Sequence, residues 1–283
     1  ASSACLGNLI PPSLTAIVYC GLIETSVAKQ FLATVFPGLL LMLFLGTASM
    51  LIARRRGYGE RLPFSWQELG RATVSAIPIL LMPVIILGGI YGGIFTVTEA
   101  AAIACAYVII IAMLLYKLTP RTLWRGLISG ARTTANIFLL IGTVGLLAKV
   151  LIMAQVPQAV ALWVVHMGLS ATAFLFMAIF VLLVLGTFLE AVPLILVTVP
   201  IFMSTMNSLG ISPILYGALL ALMVGVGQIT PPVGIVLFVA CGVAKAPIGP
   251  TLREVIPFLA CQMLVTLLTA LFPPIATYLP SLI

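Results

Sequence analysis

Charge is what this 283-residue chain has least of: 7% of its residues are charged and 63% are hydrophobic, against about 25% charged in an ordinary water-soluble domain. So few charges cannot cover a water-exposed surface, which excludes a soluble fold. Aspartate is absent, the six acids all being glutamate, and there is a single histidine, His166. Without a histidine–acid cluster there is no catalytic or metal-binding constellation, which argues against an enzyme working within the membrane, and no catalytic residue or cofactor is assigned. Cys5, Cys20, Cys105, Cys241 and Cys261 sit in apolar stretches without metal-ligand spacing and read as small core residues, with no disulfide framework. The formal net charge of +7 is scattered between apolar runs rather than gathered in a patch, which argues against nucleic acid as a partner.

What the chain does have is apolar runs, at 32–53, 73–92, 98–116, 132–153, 170–185, 192–206, 213–226, 234–244 and 255–279. A bilayer crossing takes about 20 apolar residues, so the expectation is one all-α integral membrane domain in a lipid bilayer. The opening Ala-Ser-Ser-Ala-Cys is neither an initiator nor a signal peptide, and the chain is expected to be a fragment. Four runs between 170 and 244 are shorter than a crossing, and a half-length helix must bury its end in protein or a cavity.

Lysine and arginine favour cytoplasmic loops. Arg54, Arg55, Arg56, Arg61 and Arg71 flank one loop, Lys117, Arg121, Arg125 and Arg132 a second, Lys245 and Arg253 a third, together 11 of the 13 basic residues. With all three loops inside, 1–27 runs outward, 32–53 inward, 73–92 outward, 98–116 inward and 132–153 outward. A short surface helix near 157–167 follows. The arms 170–185 and 192–206 must then either cross fully or form a hairpin entering and leaving on the outer face; the hairpin is preferred, with Gly186 and Glu190 at its junction, and 213–244 runs inward.

The strongest signal is a repeat. Gly7-Asn8-Leu9-Ile10-Pro11-Pro12-Ser13 and Gly227-Gln228-Ile229-Thr230-Pro231-Pro232-Val233 share glycine, amide, aliphatic residue and Pro-Pro at an offset of 220. Pro-Pro within an apolar crossing removes two amide donors and clashes with the preceding turn, so each helix breaks there. The freed carbonyls carry partial negative charge suited to a cation, and the next half-helix N-terminus suits an anion. The two breaks lie on oppositely running segments, and such an inverted pair of discontinuous helices is the architecture of alternating-access carriers.

Ile10-Pro-Pro-Ser-Leu, Thr96-Val-Thr-Glu-Ala-Ala-Ala, Gly186-Thr-Phe-Leu-Glu and Gly227-Gln-Ile-Thr-Pro-Pro-Val-Gly, in this order, resemble the large membrane subunit of tripartite ATP-independent periplasmic (TRAP) transporters over the whole chain. That resemblance implies an elevator-type, multi-pass carrier of the bacterial inner membrane, driven by a sodium gradient. The implied partners are a small membrane subunit and a periplasmic substrate-binding protein, and the implied substrates are carboxylates such as C4-dicarboxylates or sialic acids. It also implies a re-entrant hairpin before each broken helix. Residues 1–131 are then the end of the first repeat, with the broken helix 1–27, plus connecting helices. Residues 132–283 hold the second repeat: hairpin 170–206, broken helix 213–244 and last helix 255–279. The first hairpin would precede Ala1, so roughly the N-terminal third of the family's chain is expected to be missing. Glu190 stands where the family usually has aspartate.

The expected sodium ligands are Gly7, Asn8 and Pro11 at the first break and Thr187, Glu190, Gly227, Thr230 and Pro231 at the second. The substrate carboxylate is expected near Ser13, Gln228 and Val233. Glu99, in Thr96-Val-Thr-Glu, fits a capping box. Glu60 and Glu68 are placed in a loop and Glu254 at a helix start. Lys149 is placed to snorkel, His166 has no acid near it, and Leu118–Leu127 reads as an interfacial helix. The competing possibility is a related ion-coupled carboxylate symporter or antiporter working without a binding protein. A proton-coupled machine would present buried acids paired with a base; only Glu190 qualifies, which favours sodium.

Overall fold

The computed structural model describes residues 1–58, 65–115 and 118–283; Glu60, Arg61 and Lys117 lie outside them. Among the described residues the fold is helical without strands. A 3-10 helix, Ser2–Asn8, opens the chain, followed by α1 (Leu14–Ile23), α2 (Val27–Arg56), α3 (Trp66–Tyr91), α4 (Val97–Leu115), α5 (Pro120–Met153) and α6 (Val156–His166). Then come α7 (Ala171–Gly186), α8 (Ala191–Ser208), α9 (Pro213–Ile229), α10 (Ile235–Ala244), α11 (Ile248–Leu271) and the short α12 (Pro274–Thr277). Six of these, α2, α3, α4, α5, α8 and α11, are long and apolar enough to cross a membrane.

The chain divides into two compact units, one of residues 1–52 with 138–283 and one of residues 53–137. The larger unit is built around α9. Its sequence from Leu215 to Gly227 is apolar or small on every face and is buried throughout, as a helix apolar all round must be. The 3-10 helix, α1, α7, α8 and α11 all pack on it. Phe202 of α8 stands edge-on to both Phe174 of α7 and Tyr216 of α9, at 5.7 and 6.3 Å between ring centres. Some threonines inside these apolar helices satisfy their hydroxyls within their own helix, as Thr198 does on the Leu194 carbonyl at 2.7 Å and Thr266 on the Gln262 carbonyl at 2.9 Å.

In the smaller unit α3 and α4 form a hairpin. Phe95 folds back so that a Cβ on Gly89 would overlap its ring, and Tyr107 donates to the Pro78 carbonyl at 2.6 Å. The capping box at Thr96 is formed in both directions: Glu99 accepts from the Thr96 amide at 2.8 Å, and the Thr96 hydroxyl accepts from the Glu99 amide at 3.3 Å.

Several boundaries differ from expectation. Ser65 accepts from the Glu68 amide at 3.3 Å and starts α3 seven residues early, so Glu68 is a first-turn residue rather than a loop one. Leu118–Leu127 is no separate interfacial helix. From Pro120 it continues into α5, whose 34 residues extend about 51 Å at about 1.5 Å each. The last helix begins at Ile248 and stops at Leu271, before Pro273-Pro274, so Glu254 lies in its second turn. The exposed position of Cys105 makes it the exception among cysteines read as core residues.

Candidate functional site

The Pro-Pro pairs interrupt their helices as the lost amide donors require. The 3-10 helix ends at Asn8 and α1 begins at Leu14 with Ser13 extended (φ −122°, ψ 127°) as its N-cap. α9 ends at Ile229, Thr230 is extended (φ −101°, ψ 131°), and α10 begins after Gly234. A proline forces the residue before it out of the helical region, which is the case for Thr230. Both Pro-Pro bonds are cis.

The two breaks meet. Asn8 Nδ2 donates to Gln228 Oε1 at 2.8 Å, and Cys5 Sγ donates to the Gly225 carbonyl at 3.0 Å. Both pairs are separated by 220 residues, the offset of the sequence repeat, so each residue touches its own repeat-mate. That occurs only where the repeats cross.

The long helix α2 shows which way each broken helix runs. Near its start Gln30 donates to the Ile214 carbonyl in the first turn of α9 at 3.4 Å. Further on, a Cβ on Gly38 would lie 3.5 Å from Ile10 and 3.6 Å from Leu9 at the first break. Further still, Leu45, Gly46 and Ser49 line a cavity of about 590 Å³ with Cys241 and Ala244 of α10. The order along α2 is therefore α9 start, break, α10 end. α1 goes the opposite way from its break, bringing the Tyr19 hydroxyl to the Pro213 carbonyl at 2.6 Å. The two broken helices run in opposite directions.

The structural repeat is longer than the motif that announced it. α1 and α10 are each 10 residues long. Each ends on a left-handed residue, Glu24 (φ 53°) and Lys245 (φ 51°), and each is followed by a three-residue link and a long return helix, α2 and α11. After the Pro-Pro pairs the offset becomes 221, because Gly234 is inserted, and Val18-Tyr-Cys-Gly then matches Val239-Ala-Cys-Gly. The sequence expectations did not include Glu24 or this second match; the signal was there once one inserted residue was allowed.

A hairpin covers the second break. α7 and α9 pack side by side with their C-terminal ends together: a Cβ on Gly227 would overlap the Gly186 carbonyl oxygen and stand 2.7 Å from its carbon. α8 returns from that end, so both arms leave on the side where α9 starts. The Val233 amide donates to the Thr187 carbonyl at 3.2 Å, tying hairpin tip to break. The arm α8 has 18 residues, three more than expected.

The residues expected to bind sodium fall into these places. Gly227 is buried against the tip. Thr187 and Thr230 are half-buried, with their hydroxyls donating to the Val184 carbonyl at 2.8 Å and the Val226 carbonyl at 2.6 Å; both oxygens keep lone pairs. Glu190 is the N-cap residue of α8, but its side chain makes no capping bond and is exposed. Pro231 is exposed, Pro11 buried, Asn8 half-buried and Gly7 exposed with nothing within 4 Å of a Cβ there. Of the residues expected near the substrate, Ser13 is buried and donates to the Asn8 carbonyl at 2.7 Å, Gln228 is held by Asn8, and Val233 is exposed. Among the described residues no three His, Cys, Asp or Glu side chains come together as a metal site.

A family model described as tripartite ATP-independent periplasmic transporter, DctM component, matches residues 1–275. The chain belongs to that family. It is thus a chain of a transporter permease and not an enzyme, and with six candidate spans among the described residues a multi-pass inner-membrane protein. It is similar to the C4-dicarboxylate TRAP transporter large permease protein DctM of Pseudomonas aeruginosa, 38% identical over 98% of this chain and 65% of the relative. The sialic acid TRAP transporter large permease protein SiaM of Vibrio cholerae is 34% identical over 100% of the chain and 66% of its own length. The isethionate TRAP transporter permease protein DctMQ of Oleidesulfovibrio alaskensis is 33% identical over 98% and 44%. The chain thus spans less than two thirds of the length of these relatives.

Proposed function

We propose that this chain forms the ion- and substrate-binding core of a sodium-coupled carrier that moves a small organic acid across the inner membrane. The observation that carries this is the crossing of two oppositely running broken helices at Asn8 and Gln228. Such a crossing places helix C-termini and helix N-termini together inside one protein core, cation and anion sites side by side. At the second break the ligands are the Gly227 and Thr187 carbonyls and the Thr187 and Thr230 hydroxyls, oxygen donors of the kind a hard cation takes, with Glu190 beside the tip. Gly7, Asn8 and Pro11 hold the equivalent ion, completed by a hairpin from another part of the permease that covers Gly7 as α7–α8 covers Gly227. The acid lies between Ser13, Gln228 and Val233. Because Ser13 is buried and bonded, it holds the shape of that floor through Asn8.

Relatives named for C4-dicarboxylates, sialic acid and isethionate support small organic anions as the substrate class. A small membrane subunit and a periplasmic binding protein are the proposed partners, the binding protein delivering the acid. The hairpin whose arms leave together, with its tip at the break, supports a re-entrant element and an elevator movement of the larger unit's core. The test is uptake of succinate, N-acetylneuraminate and isethionate by the intact permease with its partners in vesicles, with choline replacing sodium as the control. Uptake of one of them that disappears in choline is expected; failure with all three, or uptake indifferent to sodium, overturns the proposal.

A further inference from the structure

We propose that Asn8 and Gln228 act as an amide relay, in which a cation at the first break orients the pair so that Gln228 offers its N–H groups to the acid; this rests on the ion-coupled transport proposed above. A primary amide has one oxygen that accepts and one nitrogen that donates. In the contact between the two side chains, Asn8 Nδ2 donates and Gln228 Oε1 accepts, and among the described residues neither side chain makes another hydrogen bond. The uncommitted ends are therefore the Asn8 oxygen and the Gln228 nitrogen. Turning both amides over preserves the contact with the roles exchanged and leaves the Asn8 nitrogen and the Gln228 oxygen uncommitted. Turning only one sets oxygen against oxygen or nitrogen against nitrogen.

The pair thus has two stable polarities, and in neither do both breaks receive an oxygen. A cation at the first break binds the Asn8 oxygen, turns its nitrogen to Gln228, and leaves the Gln228 N–H groups for a carboxylate or sulfonate. With no cation there, the opposite polarity becomes accessible, and it presents an oxygen that repels the acid. The difference in acid affinity between the two polarities is the coupling energy between ion and substrate, and it acts equally in both directions. Both residues are half-buried at the point where the repeats cross, and removal from water strengthens the choice between polarities.

The test measures how uptake of the transported acid depends on sodium concentration, in the intact permease with its partners. Asn8→Leu and Gln228→Leu are expected to raise the half-saturating sodium concentration by about fivefold or more, the lower end of typical coupling, and to reduce the Hill coefficient toward that of a single independent ion. The double variant Asn8→Gln with Gln228→Asn rebuilds an amide pair of the same total length and restores the Hill coefficient. Gln228→Glu keeps an acceptor for Asn8, so it preserves the contact and the fold, but it removes the donor. It is expected to weaken apparent acid affinity about tenfold, one charge-assisted hydrogen bond, with sodium half-saturation unchanged. Single variants with the wild-type Hill coefficient, a swapped pair no better than the singles, or Gln228→Glu with wild-type acid affinity would each overturn the relay. Wild-type uptake indifferent to sodium removes the transport proposal itself, which the unmutated permease shows independently.

Discussion

The two Pro-Pro breaks are alike in sequence and unlike in surroundings. Gly227 is buried beneath the Gly186 carbonyl, while its mate Gly7 has open space where a Cβ would stand. The Val233 amide is held by the hairpin tip, while the Ser13 hydroxyl is spent on the Asn8 carbonyl five residues back in the same segment. Beyond the breaks the contrast continues. The α1–α2 face is filled by the first turn of α9, through Tyr19 and Gln30, whereas the corresponding α10–α11 face opens on the cavity lined by Ser2, Ser3, Leu6, Cys241, Glu254 and Val255. The backbone path is therefore set by the repeat itself, and the covering of each break is supplied by whatever hairpin and helix pack against it.

Substitutions can break that comparison or sharpen it. The largest effect belongs to Gly227→Ala, because the obstacle is the Gly186 backbone and no rotamer change relieves it. A cost of about 1–3 kcal/mol in thermal melting and loss of most uptake are expected. Gly7→Ala sharpens the contrast: in the intact permease, where a second hairpin is proposed to cover it, uptake falls by a similar factor, and a fully active Gly7→Ala would break the proposed likeness of the two sites.

Gly217→Ala comes next. Its Cβ would overlap the Tyr19 ring and stand 2.7 Å from the Gln30 amide, but side chains can give way where backbone cannot. Melting should fall by about 1–2 kcal/mol, less than for Gly227→Ala. Tyr19→Phe removes one hydrogen bond between α1 and α9 and should cost about 1 kcal/mol. Glu99→Ala, which removes half of the exposed capping box, is expected to give the smallest change in melting of the four and no change in sodium dependence.

The breaks and helices were legible because each rests on local chemistry: Pro-Pro inside an apolar run, an amide before it, and runs too short to cross. The opposite directions of the broken helices followed from where arginine and lysine lie, and the contacts along α2 agree. What the sequence concealed depended on packing. The inserted Gly234 shifted the register by one and hid the match of Val18-Tyr-Cys-Gly to Val239-Ala-Cys-Gly, so the repeat looked confined to seven residues. Pairing of Asn8 with Gln228 and of Gly186 with Gly227 needs the third dimension, since residues 220 and 41 positions apart carry no local sign of contact. The start of α3 was legible in principle, because Ser65-Trp-Gln-Glu68 has the pattern of a capping box, but its polar first turns hid it from a reading based on apolar runs.

The central claim is that the crossing breaks hold the coupling ion. The most direct measurement is entry of radiolabelled sodium together with the transported acid, in wild-type permease and in Thr230→Val and Glu190→Gln. Sodium entering with the acid in the wild type, and a weakened sodium response in both variants, is the predicted result. Sodium entry and sodium dependence undiminished in both variants would contradict it.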